Sequence, residues 1–233
     1  MVLIGVVLLL TVALVLSQSR GGLVSLAVVL VFTLVLAGPV RPRAVVAVLA
    51  IVAVGVTYLA VLAPAATLQR VTSFQNAGGT GRGDLWNVAL QVAEDHPVIG
   101  VGAGNFILVE PEYSASGINI SRIDIVFDQN KVVHNTFLQL LTELGAIGLA
   151  AFLLVVGAAV LGPFRAISRM RGVPLEVELL VRGFTVGILG VLAAYSFESS
   201  QYEKQLWLLL GVGLAIPSIL RRVQAAEPAP TDS

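Results

Sequence analysis

The sequence contains no cysteine, which excludes disulfide bonds, thiolate metal ligands and a cysteine nucleophile. Charged residues are scarce as well: they make up 12% of the chain, whereas soluble domains carry about 25%. The net charge is zero, so no overall attraction points to nucleic acid as a partner. The chain is instead 57% hydrophobic with a mean hydropathy of +0.92, which is too apolar for a soluble protein to cover with polar surface. These values predict an integral membrane protein.

Six apolar runs are candidates for membrane-spanning helices, each of which needs about 20 apolar residues. The third run, residues 44–63, and the fourth run, residues 136–161, reach this length by themselves. The other four are slightly short and need flanking polar residues at the membrane interface. The sequence therefore predicts an all-α, polytopic membrane protein with about six transmembrane helices. The runs cover residues 2–16, 23–37, 44–63, 136–161, 180–197 and 206–220.

Arginines mark one side of this predicted bundle. If the spans alternate in direction, the arginines of the short connections and of the tail fall on one side, which the positive-inside rule assigns to the cytoplasm. These residues are Arg41, Arg43, Arg165, Arg169, Arg171, Arg221 and Arg222. The predicted organisation is three spans in residues 1–63, an extracytoplasmic loop in 64–135, three spans in 136–220 and a disordered cytoplasmic tail in 221–233.

The long outer connection is too long to be a passive link, since loops of this length are usually functional or disordered. Residues 77–83 are predicted to form a glycine-rich hinge, and residues 84–94 an amphipathic helix. The His-Pro pair that follows is expected to end this helix. Residues 100–104, Gly-Val-Gly-Ala-Gly, are interpreted as a flexible turn.

Two arginines on the predicted outer side are candidates for binding an anion. Arg20 precedes two glycines at the start of the second span, where free backbone N–H groups favour anions. Arg82 lies in the glycine hinge, and a guanidinium group can make two parallel bonds to a phosphate. The alternatives are an interfacial arginine for Arg20 and a solvated loop charge for Arg82.

His134 is the candidate catalytic residue, because it stands where the loop re-enters the membrane and because a histidine, which titrates near neutral pH, is the usual general base. The alternative is an interfacial histidine without a role. Asn135 is a predicted helix N-cap. Glu143 lies on one polar stripe with Asn135 and Gln139, at intervals of four residues, within the fourth span. A carboxyl group there faces the protein interior, where it either binds substrate or holds a neighbouring helix.

The acids of the outer loop are interpreted as solvated side chains rather than metal ligands, because no histidine joins them. They include Glu110, Glu112, Asp124 and Asp128. We therefore expect no metal and no other cofactor.

Three motifs, in this order, resemble the bacterial O-antigen ligase and O-antigen polymerase family over residues 15–165. The first is Ser-Arg-Gly-Gly at 19–22. The second is Gly-Arg-Gly-Asp-Leu-Trp at 81–86, continued by His-Pro-Val-Ile-Gly-Val-Gly-Ala-Gly-Asn-Phe at 96–106. The third is His-Asn-Thr-Phe-Leu-Gln at 134–139 with Glu-Leu-Gly-Ala-Ile-Gly at 143–148.

The resemblance implies a GT-C-like glycosyltransferase of the bacterial plasma (inner) membrane, with its active site on the outer face. Such an enzyme takes a glycan from undecaprenyl pyrophosphate and passes it to a hydroxyl of a glycan, lipid or protein acceptor. The pyrophosphate-binding arginines of the family map onto Arg20 and Arg82, and its loop histidine maps onto His134. Asn135 and Glu143 are expected to support them, and the reaction is expected to be inverting and metal-independent.

Members of this family usually have about twice as many spans, so the chain resembles the C-terminal half of a longer protein. Three alternatives stay open: a fragment, a truncated gene model, or one half of a split enzyme whose partner is the missing N-terminal half. Two other hypotheses stay open. A protein O-oligosaccharyltransferase would differ only in its acceptor. A non-enzymatic half of a polysaccharide transporter would place polar residues near the membrane midplane and break its helices there. Glu143 is the only acid within a predicted span, which favours the enzyme.

Overall fold

The computed structural model describes residues 2–17, 19–62, 82–115, 132–170 and 172–226, and all regular structure within these residues is helical. Two short segments flank α3: a 3-10 turn, Gly38–Val40, before it and a π-helical turn, Tyr58–Leu62, after it. The α-helices are α1 (Val2–Leu16), α2 (Arg20–Leu36), α3 (Arg41–Thr57), α4 (Arg82–Asp95), α5 (Phe106–Ala115), α6 (Thr136–Ile167), α7 (Leu175–Tyr195) and α8 (Lys204–Ala226).

Four helical segments are long and apolar enough to cross a membrane: Gly38–Thr57, Thr136–Ile167, Leu175–Tyr195 and Lys204–Ala225. Two shorter apolar segments, Gly5–Leu14 and Gly21–Leu36, lie in α1 and α2. The prediction of an all-α, polytopic membrane protein is confirmed, and the number of six spans stays a prediction.

The spanning helices pack around α6 and α7. Helix α6 lies against both α7 and α8, while α2 packs along α7 and is in turn contacted by α1 and α3. The hydroxyl of Ser25 in α2 donates to the carbonyl of Gly190 in α7 at 2.6 Å, which holds these two helices close. The central core consists of Leu140, Phe152, Ala159, Ile188, Leu206 and Leu210.

Helices α4 and α5 form a second layer with its own core against the first turns of α6. The predicted helix over residues 84–94 is confirmed and extends from Arg82 to Asp95, so it ends directly before the His-Pro pair, as expected. The apolar face of α4 packs on α5 and on Val133, the residue before His134. The buried members of this core are Val88, Ala89, Val92, Phe106 and Val133.

The connections that carry the arginines meet at one end of the bundle. The Arg182 guanidinium donates to the Leu36 carbonyl at the end of α2 (2.9 Å) and pairs with Glu178 (2.7 Å). The Gln224 amide of α8 donates to the carbonyl of Arg169 after α6 at 3.2 Å. Helix α8 continues to Ala226, beyond the boundary at residue 221 that was predicted for a disordered tail. Residues 227–233 lie outside the described part.

Helix α6 is interrupted at Gly145, whose φ of 64° and ψ of −168° are not helical. A continuous helix over its 32 residues would measure about 48 Å, far more than a hydrocarbon core of about 30 Å. Residues 146–167 alone reach about 33 Å and are sufficient to span it. The predicted span over residues 136–161 is therefore a short helical segment, residues 136–144, followed by the spanning helix.

Candidate active site

The interruption at Gly145 is filled by residues 97–102, here called the docking segment. A helix that stops leaves carbonyl and N–H groups without helical partners, and these must be satisfied elsewhere. Four backbone hydrogen bonds do so: Val101 N–H to the Thr142 carbonyl (3.0 Å), Gly102 N–H to the Glu143 carbonyl (2.8 Å), Ala146 N–H to the Pro97 carbonyl (2.8 Å) and Ile147 N–H to the Val98 carbonyl (3.2 Å). The outer loop and α6 are thus joined backbone to backbone.

The predicted turn over residues 100–104 is present at its C-terminal end, where the Asn105 N–H donates to the Gly102 carbonyl at 3.1 Å, but residues 101 and 102 are bonded to the backbone of α6. Gly100 has a φ of +66°, and a Cβ atom there would lie 2.5 Å from the Glu143 carbonyl oxygen. Glycine is needed at this position for close approach to α6 as well as for the left-handed backbone.

His134 is the only non-glycine residue with a positive φ (54°) in the part of the chain that the structure describes. Histidine tolerates this region better than most residues, but such a conformation still costs about 1–3 kcal/mol. Strain of this kind persists where neighbouring contacts fix the backbone, and it is concentrated at functional sites. The backbone conformation therefore indicates His134 as a candidate functional residue, independently of the chemistry of its side chain.

Contacts on both sides fix the His134 backbone. The Trp86 indole N–H donates to the Val133 carbonyl at 3.0 Å, and Val133 is fully buried. On the other side, the Asn135 side-chain oxygen accepts from the Leu138 N–H at 3.0 Å, which confirms Asn135 as the N-cap of α6. Arg82 begins α4 one helical turn before Trp86 and is partly exposed. The start of α4 therefore lies beside the histidine segment.

The start of α2 reaches the same region through the α7–α8 loop. A Cβ atom on Gly21 would lie 2.7 Å from Phe197 Cβ, so the residue after Arg20 packs on this loop. The Thr136 hydroxyl donates to the Glu198 carbonyl (2.7 Å) and accepts from the Ser200 N–H (2.9 Å), which ties the loop to the first residue of α6. The Ser19 hydroxyl caps α2 by accepting from the Gly22 N–H at 3.2 Å. The Arg20 side chain itself lies outside the described part.

Glu143 is fully buried and accepts two side-chain hydrogen bonds. The Gln139 amide donates to it at 2.8 Å, and the Tyr202 hydroxyl of the α7–α8 loop donates to its other oxygen. Desolvation, followed by the hydrogen bond and the charge of Glu143, raises the pKa of Tyr202 to about 12, so this hydroxyl is a donor at neutral pH. Glu143 thus holds the α7–α8 loop at the place where the docking segment meets α6.

The acids of the outer loop show no metal-binding arrangement among the described residues, where no group of three potential ligands occurs. The interpretation of Glu110 as a solvated acid is wrong: it is 3% exposed and accepts from the Ser114 hydroxyl at 2.5 Å. Glu112 is exposed. Asp124 and Asp128 lie outside the described residues.

The profile of one family, described as O-antigen ligase, matches residues 5–153, which is well over half of the chain. The chain belongs to the O-antigen ligase family. This match confirms the resemblance drawn from the three motifs. The family membership indicates a membrane protein that ligates or polymerises glycans. The comparison with curated proteins found no match.

In this member of the O-antigen ligase family, the predicted site residues form two groups that differ in their position in the bundle. Helix α4, which begins at Arg82, bonds the residue before His134 directly, whereas the start of α2 at Arg20 reaches this segment only through the α7–α8 loop. Glu143 lies apart: it is eight residues beyond the cap Asn135, about 12 Å along the helix axis, and it is enclosed. The individual roles of these residues stay predictions.

Sequence reasoning missed several residues of this region. Tyr202 was not among the predicted site residues, although a carboxyl group in an apolar helix needs a buried hydrogen-bond donor. Asp84 is 6% exposed, and one of its carboxylate oxygens is buried without a hydrogen-bond partner among the described residues. The signal for Asp84 was its place in the first turn of α4, where the helix dipole favours a carboxylate.

Proposed function

We propose that this member of the O-antigen ligase family transfers a glycan from undecaprenyl pyrophosphate to an acceptor hydroxyl at the outer face of the bacterial inner membrane. The observation that supports this most is the attachment of α4, which begins at Arg82, to the strained His134 segment through Trp86. The start of α2 packs on the α7–α8 loop, which in turn bonds Thr136. The arginines of the short connections lie at the other end of the bundle, which the positive-inside rule places in the cytoplasm.

Arg20 and Arg82 bind the pyrophosphate of the donor in this proposal. Both are the first residues of helices, so the backbone N–H groups and the positive end of each helix add to the guanidinium charge. As the glycosidic bond breaks, negative charge grows on the leaving pyrophosphate. Positively charged groups held in place before the reaction stabilise that charge.

His134 is the general base for the acceptor. Its imidazole takes the proton of the acceptor hydroxyl while the hydroxyl oxygen forms a bond to the anomeric carbon of the glycan. The bond between that carbon and the pyrophosphate oxygen breaks at the same time, and undecaprenyl pyrophosphate leaves with the electron pair. A single displacement of this kind inverts the configuration of the anomeric carbon.

Glu143 serves as a positioning residue rather than a second base. Its carboxyl group is enclosed and already accepts from Gln139 and Tyr202, so an acceptor hydroxyl has no access to it. Through Tyr202 it anchors the α7–α8 loop, whose backbone in turn holds Thr136.

The interruption at Gly145 favours the alternative of a transporter half, since transporters bind ions at broken helices. In those proteins the freed backbone groups face a cavity. Here four of the backbone groups beside the break are bonded to the docking segment. The break is therefore better explained as the place where the outer loop is attached to α6.

The test is glycan transfer by the purified full-length protein, incubated with membranes from cells that lack it and have accumulated the undecaprenyl pyrophosphate-linked glycan. We expect loss of the linked glycan together with release of undecaprenyl pyrophosphate. The new glycosidic bond, examined by NMR, should have the opposite anomeric configuration to the donor, and EDTA should leave the rate unchanged. Transport of the glycan without cleavage of the bond between its anomeric carbon and the pyrophosphate would contradict the proposal.

A further inference from the structure

A cleft of about 230 Å³ lies between the ends of α6 and α8, at the end of the bundle opposite the candidate active site. Three arginines line it: Arg165 and Arg169 from the end of α6 and the residues just after it, and Arg221 from α8. Its remaining wall includes the apolar residues Gly162, Pro217 and Leu220. The proposed glycan transfer makes no use of this cleft.

The three guanidinium groups have no carboxylate within 4.0 Å among the described residues. Arg182, at the same end of the bundle, shows the contrast, because it pairs with Glu178. All three arginines are exposed, and three like charges around one cleft repel each other. An anion between them would remove this repulsion.

The cleft lies at the depth of lipid headgroups. Arg165 follows the break at Gly145 by twenty residues, which corresponds to about 30 Å of helix and matches the thickness of the hydrocarbon core. At the opposite end, the indole of Trp207 bonds the Gln201 carbonyl at the start of α8, where an aromatic residue suits the outer interface. The arginines are therefore expected in the headgroup layer predicted to face the cytoplasm.

The shape of the cleft suits a headgroup with acyl chains attached. Toward the membrane centre α6 and α8 come into close contact, since a Cβ atom on Gly162 would lie 3.1 Å from Pro217 Cγ. The cleft thus closes on its apolar side and opens where the arginines lie. A phosphate can reach the guanidinium groups while its acyl chains remain along the lipid-facing sides of the helices.

We propose that this cleft binds the phosphate of an anionic phospholipid such as phosphatidylglycerol. Arginine binds phosphate oxygens in pairs, and basic pockets between spanning helices on the cytoplasmic side suit anionic headgroups. The lipid fills the space between the ends of α6 and α8 and neutralises the three arginines.

The first experiment compares probes on the unmodified full-length protein, delipidated in a neutral detergent. Native mass spectrometry measures binding of dioctanoyl phosphatidylglycerol, of dioctanoyl phosphatidylcholine and of inorganic phosphate. We expect one molecule of phosphatidylglycerol to bind saturably and phosphatidylcholine to bind at least tenfold more weakly. Equal binding of both lipids would overturn the proposal. Inorganic phosphate that displaces phosphatidylglycerol at equal concentration would also overturn it, because the site would then serve a soluble anion.

The second experiment uses a matched pair of variants. Arg221→Gln removes a lining charge, whereas Arg222→Gln removes the same charge from the next residue of α8, which does not line the cleft. We expect Arg221→Gln to weaken phosphatidylglycerol binding about fivefold, and the triple change with Arg165→Gln and Arg169→Gln to weaken it on the order of a hundredfold. Arg222→Gln should bind like the wild type. Equal losses in Arg221→Gln and Arg222→Gln would show general attraction to a basic surface and overturn the site.

Discussion

Gly100 and Gly145 form the two sides of one backbone contact. A Cβ atom on Gly145 would lie 2.5 Å from the Ile99 nitrogen, and a Cβ atom on Gly100 would lie 2.6 Å from the Leu144 nitrogen. Both residues have a positive φ, so a side chain at either one is excluded by conformation as well as by space. This contact fixes where the outer loop attaches to α6.

Gly145→Ala should therefore destabilise the protein and lower its transfer activity. Backbone strain alone costs about 1–3 kcal/mol at such a position, and the docking segment would also have to move. The matched control is Gly157→Ala in the same helix, where an added Cβ meets nothing within 4 Å. Alanine is the better helix former, so the control should be neutral or stabilising by up to about 1 kcal/mol. Thermal unfolding in detergent measures both, and equal melting temperatures would contradict the contact.

Tyr202→Phe should leave the buried Glu143 short of one hydrogen-bond donor. Removing one partner of a buried pair costs about 1–3 kcal/mol. Tyr113→Phe is the control, because its hydroxyl donates to Asp95 at 2.8 Å on an exposed surface, where the loss should be smaller. The two variants are compared by thermal unfolding at pH 7. A greater loss in Tyr113→Phe would contradict the enclosed position of Glu143.

The hydrogen bond from Tyr202 to Glu143 also predicts how the stability of the protein depends on pH. The pKa of Tyr202 is raised from 10.0 to about 12, so the folded state favours the protonated hydroxyl. Its contribution to stability is complete below about pH 10 and is lost as the pH rises through about 12. The stability difference between the wild type and Tyr202→Phe should therefore be constant at neutral pH and shrink between pH 10 and 12. A difference that stays unchanged over that range would contradict the raised pKa.

Lysine should be a poor substitute for Arg20 and Arg82. It keeps the positive charge but loses the paired hydrogen bonds to phosphate oxygens. We expect Arg82→Lys in the full-length protein to lower glycan transfer by about an order of magnitude or more. Arg43→Lys, at the opposite end of the bundle, should leave transfer unchanged. Wild-type transfer in both Arg20→Lys and Arg82→Lys, at equal amounts of protein in the membrane, would remove these arginines from the site.

The orientation in the membrane can be tested directly because the chain has no cysteine of its own. Single cysteines at Ala77 in the outer loop and at Ser168, the exposed residue after α6, are treated in intact cells with a thiol reagent that cannot cross the membrane. We expect labelling at residue 77 and protection at residue 168. The reverse pattern would invert the bundle and place the proposed site in the cytoplasm.

The sequence predicted the parts of the fold that depend on local pattern. The apolar runs gave the helices, Asn135 was recognised as an N-cap, and the His-Pro pair marked the end of α4. The interruption at Gly145 could not be predicted in this way. It changes the conformation of one residue within an apolar helical pattern, and the partner that stabilises it lies more than forty residues earlier in the chain.

The site shows the same limit. Arg20 and His134 were selected by residue type and by their place at predicted helix starts, which the sequence displays. Arg82 was selected in the predicted glycine hinge, and the structure places it in the first turn of α4 instead. The partner of Glu143 was not, because Tyr202 lies 59 residues away and only the packing of the α7–α8 loop on α6 brings the two together. The strained backbone of His134 likewise depends on Trp86 and the cap of α6, which together form a tertiary arrangement.

The most direct test of the central proposal is glycan transfer by His134→Asn and His134→Ala, with donor binding measured separately on the same full-length proteins. Asparagine tolerates the left-handed backbone of this position, so His134→Asn removes the base while keeping the local conformation. His96→Ala is the control, since His96 is exposed at the end of α4 and has no assigned role. If His134 is the general base, both of its variants should lose transfer by about 10²–10⁴-fold while binding the donor normally, and His96→Ala should transfer normally. Normal transfer by His134→Asn would contradict the proposed mechanism.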